Sequence, residues 1–190
     1  LKENADGETP EENQKETVTV DFEALKKINP EIIAWIRIPD TKIDYPVVQG
    51  ADNEYYLKHT FKKTEHVAGS IFLDKDNSPD FSNRKSILYG HNMKDGSMFQ
   101  GLHKYENEQY LETHNKVYLY LPDGQYLTYS VIRCEYVNAD SDTFWLGEPV
   151  ETRQLLLSTC GSDSLKRLVL FCELPEEQEE SEVNGEDINM

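Results

Sequence analysis

Between residues 17 and 174 the apolar positions fall into short runs, alternating or continuous, separated by turn-forming residues. Runs of roughly four to eight positions bounded in this way suit strands better than long helices. They span Trp35 to Ile38, Tyr45 to Val48, Ser70 to Leu73, Ser86 to Tyr89, Lys116 to Leu121, Tyr126 to Val137, Gln154 to Ser158 and Arg167 to Leu174. Pro39-Asp40, Gln49-Gly50, Ser78-Pro79-Asp80 and Asp95-Gly96 bound most of them, and Pro122-Asp123-Gly124 folds Lys116 to Val137 into a hairpin. Ahead of the strands Phe22, Leu25 and Ile28 recur at helical spacing, with Asp21 placed to cap the helix and Asn29-Pro30 to stop it. Asp52 to His59 and Met98 to His114 read as short helices or helical turns packed outside the strands. The pattern predicts a mostly β fold, an eight-stranded closed or nearly closed β-barrel with short peripheral helices and an N-terminal helix.

Composition changes this picture only at the ends. The 190-residue chain carries a net charge of -17, but Leu1 to Glu16 contributes -4 and Pro175 to Met190 contributes -7, leaving -6 for residues 17 to 174. We expect an acidic disordered linker over 1–19, one folded domain over 20–174 and an acidic disordered tail over 175–190. No basic face is left to neutralise phosphates, which excludes nucleic acid as a partner. The chain has no apolar run of about 18 residues and no signal-peptide pattern at its start, so as given it reads as soluble.

Three cysteines, Cys134, Cys160 and Cys172, form an odd set without C-x-x-C spacing, which argues against a disulfide framework or a zinc knuckle. In the last strand Cys172 shares parity with Leu168, Leu170 and Leu174, opposite to Arg167, and is expected in the core. Cys134, in an alternating hairpin strand, is given the same place. The segment Asp74-Lys75-Asp76-Asn77-Ser78-Pro79-Asp80 alternates oxygen side chains as a calcium loop does. However, Pro79 stands where the turn needs glycine and Lys85 where it needs a bidentate glutamate. We read it as a turn rich in Asp, Asn and Pro, and expect no metal and no cofactor.

The residues with candidate chemistry stand at strand ends. Leu155-Leu156-Leu157-Ser158-Thr159-Cys160 delivers a cysteine, and Arg167 opens the next apolar run. Thiolate is the reactive form of cysteine, and a neighbouring cation favours it. The pair alone also fits a buried small hydrophobe beside a solvated edge charge. Ser86-Ile87-Leu88-Tyr89-Gly90-His91 repeats the layout with a histidine, and Gly90 permits close backbone approach. His59, His66, His103 and His114 fall in polar settings, read as surface, and no pair has the H-x-x-x-H spacing of a zinc site.

Several separated motifs together resemble the sortases of Gram-positive bacteria, and within them class B. They are Asn29-Pro30-Glu31-Ile32-Ile33-Ala34-Trp35-Ile36, Ile43-Asp44-Tyr45-Pro46-Val47-Val48-Gln49-Gly50, Gly69-Ser70-Ile71-Phe72-Leu73-Asp74, Tyr89-Gly90-His91-Asn92-Met93, and Leu157-Ser158-Thr159-Cys160 followed by Arg167-Leu168-Val169. The resemblance implies a sortase-type barrel over 20–174 with a catalytic triad of His91, Cys160 and Arg167. It also implies a groove for the sorting peptide lined by Asn53, Leu57, Ser158 and Thr159. The implied activity is cleavage of an N-P-x-T-x-like sorting motif through a cysteine thioester, followed by transfer to an amine of peptidoglycan precursor or a pilin lysine. The implied location is the extracellular face of the membrane or the cell wall, with an N-terminal anchor not contained in this sequence. One departure is plain: Asn138 to Arg153 is too short for the long helix that class B members insert between the sixth and seventh strands.

At ordinary pKa values of about 8.5 and 6.5 the pair would be roughly 3% thiolate and a quarter imidazolium at pH 7, which predicts a slow enzyme. A hydrolytic cysteine peptidase or a non-catalytic extracellular binding module would share much of this pattern. The first is separated by whether an amine captures the acyl group, the second by whether Cys160 reacts at all. An L,D-transpeptidase would carry S-H-G-C rather than Ser158-Thr159-Cys160-Gly161.

Overall fold

A computed structural model describes residues 19–147, 149–160 and 165–175, and at Cys160 the backbone alone. Apart from Thr19 and Pro175, the expected acidic linker and tail lie outside the described residues.

The N-terminal helix α1, Phe22–Ile28, begins where the Asp21 carboxylate accepts the Ala24 N–H at 2.9 Å. Such a cap stabilises a helix end by about 1 kcal/mol. It ends at Asn29, whose extended backbone turns the chain into strand β1. Seven more strands follow, and all eight runs read from the sequence are strands: β1 Ile32–Arg37, β2 Asp44–Val48, β3 Ile71–Leu73, β4 Lys85–Gly90, β5 Lys116–Tyr120, β6 Tyr126–Asn138, β7 Gln154–Cys160 and β8 Lys166–Glu173. Strand β1 starts earlier than the predicted Trp35. A register shift between Ile32 and Ala34 breaks its alternation: Ala34 and Ile36 enter the largest core cluster with Ile33 packed against it, whereas Ile32 packs with Phe22, Val48, Tyr56 and Phe72, so a simple period of two does not mark where the strand begins.

The strands close into a barrel in the order β1-β2-β3-β4-β7-β8-β6-β5, with β5 pairing back onto β1. Two contacts are parallel, β2 with β3 and β4 with β7, and the rest are antiparallel. The stretch between β2 and β3 carries a 3-10 turn, Tyr55–Leu57, while that between β4 and β5 carries a 3-10 helix, Phe99–Glu106, and a short helix α2, Glu108–Thr113. Ala34, Ile36, Leu88, Leu119, Leu157 and Leu170 belong to the main core, joined by Phe99, Leu102 and Tyr105 from the 3-10 helix. The site rests on a separate cluster, Ile87, Leu156, Val169 and Phe171, the alternate residues of β4, β7 and β8, against which Val137, Phe144 and Leu146 pack.

Cys172 is fully buried in the main core, as its parity predicts. Cys134 is only partly buried. A register shift between Val131 and Arg133 breaks the alternation of β6, and beyond it Cys134 packs against the core from its margin. Of the histidines expected at the surface, His66 is exposed, whereas His59, His103 and His114 are half-buried. His103 lies on the amphipathic 3-10 helix, between the buried Leu102 and Tyr105 and the exposed Glu106, to which its Nδ1 bonds at 2.6 Å.

Candidate active site

Sheet register aligns three candidate residues. In the parallel β4–β7 pair Gly90 lies opposite Thr159, and in the antiparallel β7–β8 pair Cys160 lies opposite Arg167. The positions after Gly90, at the end of β7 and at the start of β8 thus stand side by side on adjoining strand ends. This is a rigid arrangement, because each strand is held by ladder hydrogen bonds on both edges.

Beside these ends lies a cleft of about 340 Å3 lined by Asn53, Leu57, His91, Ser158, Thr159 and Arg167, together with Phe72, Tyr89, Gly90, Ala139 and Phe144. Every candidate groove residue from the sequence therefore lines this one cleft. Cys160 adjoins it through Thr159, and its side chain lies outside the described residues.

His91 is oriented by its Nε2, 2.7 Å from the carbonyl oxygen of Leu57. A carbonyl can only accept, so Nε2 carries a proton and protonation of the ring changes at Nδ1. The backbone is held as well: the Phe99 N–H donates to the His91 carbonyl at 2.9 Å, and Asn92 bridges to Met98. Gly90 has a steric reason to lack a side chain, since a Cβ there would stand 2.7 Å from the Phe99 ring. Arg167 is half-buried, and its Nη1 donates to the Lys166 carbonyl at 3.1 Å. Ser158 and Thr159 are almost fully buried, with no hydrogen-bond partner for either hydroxyl among the described residues.

The opposite wall was not legible in the sequence. Where a long helix has no room, a 3-10 turn, Asp142–Phe144, brings the Phe144 ring to 6.4 Å from Tyr89, which in turn lies 5.3 Å from Phe72. The turn is tied down by Lys85, a buried residue at the start of β4 whose Nζ donates to the carbonyls of Thr143 at 3.4 Å and Trp145 at 3.2 Å. In the sequence Lys85 stands just ahead of an apolar run, and nothing local to it points to residues 143 and 145.

That loop-like segment has another role. The Asp74 carboxylate accepts hydrogen bonds from Asn53 Nδ2 and from the Tyr89 hydroxyl, each at 2.9 Å, and from the Asp76 N–H at 3.0 Å. Burial and the Asp74 charge push the ionisation of Tyr89 well above the ordinary tyrosine range, so the phenol stays a donor. Asp76 pairs with Lys75 at 2.7 Å and Asp80 accepts the Ser82 N–H, so these oxygens serve the turn itself. Among the described residues no group of three or more His, Cys, Asp or Glu gathers as a ligand set.

A protein-family model described as Sortase domain matches residues 36–175. Sortase B of Listeria monocytogenes serovar 1/2a is 49% identical over 90 residues, a match covering 47% of this chain and 37% of that protein. Sortase B of Staphylococcus aureus is 30% identical over 190 residues, covering 84% of this chain and 77% of that protein. The solved Staphylococcus aureus sortase B–substrate complex resembles the fold with a TM-score of 0.70 at 27% identity, covering 81% of this chain and 84% of that one.

Proposed function

This chain belongs to the sortase family of cysteine transpeptidases, with class B relatives, and from that premise we propose that it cleaves an N-P-x-T-x-like sorting peptide and transfers it to an amine at the Gram-positive cell surface. Cys160 is the nucleophile, His91 the acid and base, and Arg167 the oxyanion partner. The observation that carries the reading is the register that sets these three positions on adjoining ends of β4, β7 and β8, beside a cleft of about 340 Å3 whose wall includes Leu57, Phe72, Tyr89 and Phe144.

The Cys160 thiolate attacks the carbonyl carbon of the motif threonine, forming the C–S bond while the carbonyl oxygen takes the negative charge. The Arg167 guanidinium stabilises that oxygen as the charge develops. Collapse breaks the C–N bond, and His91 as imidazolium delivers its Nδ1 proton to the departing amine. Neutral His91 then removes a proton from the incoming amine, which attacks the thioester and returns the thiolate. The acceptor is an amine of cell-wall peptide or a pilin lysine.

A peptide panel tests the assignment. N-P-x-T-x and L-P-x-T-x peptides are incubated with the protein and Cys160 is mass-mapped for an acyl adduct. The reading predicts an adduct ending in threonine with the first series in preference to the second. An unmodified Cys160 with both, at a concentration where the peptide is in large excess, contradicts it.

A further inference from the structure

We propose that Asp74 is a positioning residue of the peptide groove, its buried carboxylate fixing the orientation of the Asn53 carboxamide and the Tyr89 phenol toward an extended peptide backbone. The inference rests on the reading of the cleft as a peptide groove. Asp74 is only 7% exposed, and its backbone is pinned where β3 ends: its N–H donates to the Ile87 carbonyl, and its own carbonyl accepts from Gln49 Nε2 and the Asn77 N–H. From this fixed point one carboxylate oxygen, Oδ2, accepts from both Asn53 and Tyr89, two residues that line the cleft.

The chemistry allows the Asn53 amide one orientation. A carboxylate only accepts and a backbone N–H only donates, so with Nδ2 on Asp74 and Oδ1 receiving the Lys75 N–H at 2.8 Å the amide cannot turn over. One N–H and one acceptor direction remain on Asn53, the pair that a peptide bond requires. Tyr89 likewise donates its proton to Asp74 and keeps its oxygen as an acceptor, while its ring stands between Phe72 and Phe144. The Asp74–Asp80 segment, calcium-like in sequence, thus serves the groove from behind.

Asparagine at 74 keeps the shape but turns a donor toward a donor whichever way its amide points, either toward Asn53 and Tyr89 or toward the Asp76 N–H. The test measures kcat and KM for sorting-peptide cleavage, with melting temperature, on wild type, Asn53→Ala, Asp74→Asn and the double variant. Side-chain amide signals of 15N-labelled protein are recorded on wild type and Asp74→Asn. We expect Asp74→Asn to raise KM about tenfold with kcat within about twofold. The double variant should lose less than the product of the two single losses, because the part of the Asp74 effect that runs through Asn53 is already gone and only the part through Tyr89 remains. The Asn53 amide pair should shift in Asp74→Asn whether or not any peptide is turned over. A wild-type KM in Asp74→Asn, multiplicative losses in the double variant, or unmoved Asn53 amide signals would each overturn the proposal. If wild type cleaves no sorting-type peptide while the amide pair still shifts, the peptide-groove reading fails and the Asp74–Asn53 latch stands as architecture alone.

Discussion

At the scale of the residue, burial quiets two of the three cysteines and leaves the strand-end Cys160 as the candidate nucleophile. Burial first, then the charges of Glu106 and Glu135, push the Cys134 thiol up to about 12, and complete burial pushes Cys172 higher still. A thiol whose pKa is raised is protonated at every pH below that value, so neither is a nucleophile near neutrality. A small alkylating agent at pH 8 should therefore label Cys160 and spare the other two, read by mass mapping; labelling of Cys172 in folded protein would put the nucleophile elsewhere. Arg167 separates a structural from a catalytic role as cleanly. If its guanidinium fork holds the oxyanion, Arg167→Lys should slow peptide cleavage on the order of a hundred- to a thousand-fold, with melting temperature nearly unchanged. Wild-type cleavage by that variant would remove Arg167 from the mechanism. The candidate positions His91, Cys160 and Arg167 were readable because each sits where an apolar run ends or begins. Asp74, Lys85 and Phe144 were not, because their roles come from partners 15 to 60 positions away, a distance at which no local period operates.

At the scale of the element, each strand was visible in the sequence but its neighbours were not. The hairpin of β5 and β6 follows from its turn, whereas the parallel contact of β4 with β7 joins strands separated by two others in the chain. That contact sets the end of β4 beside the end of β7, and Gly90 is the point where it can be tested. In Gly90→Ala the new methyl meets the Phe99 ring, and Phe99 holds the His91 carbonyl through its N–H. We expect a loss of about 1–3 kcal/mol in stability, the usual cost of overpacking, and a fall in peptide cleavage at temperatures where the variant is fully folded. Gly90→Ala/Phe99→Leu should recover part of both, measured by thermal melting and cleavage on the same samples. An unchanged melting temperature in the single variant would mean that Phe99 moves aside at no cost. The irregular β6 shows where element-level reading fails. Parity is a reliable guide only until a bulge, and the shift at Val131–Arg133 left Cys134 at the margin of the core rather than within it.

At the scale of the whole molecule, the barrel leaves its outer β4–β7–β8 face to carry the cleft, and most of the net charge belongs to the chain ends rather than to this domain. Removing residues 1–17 and 176–190 should keep the melting temperature within a few degrees and keep peptide cleavage; a large drop on trimming would show that an end packs on the barrel. The central claim, transfer through a Cys160 thioester, is tested most directly by partition of the acyl group. With a cleavable sorting peptide and a rising concentration of an amine acceptor, the account predicts that amide product grows at the expense of hydrolysis and that Cys160→Ala forms neither. Hydrolysis that no amine concentration diverts, or transfer that persists in Cys160→Ala, would contradict it.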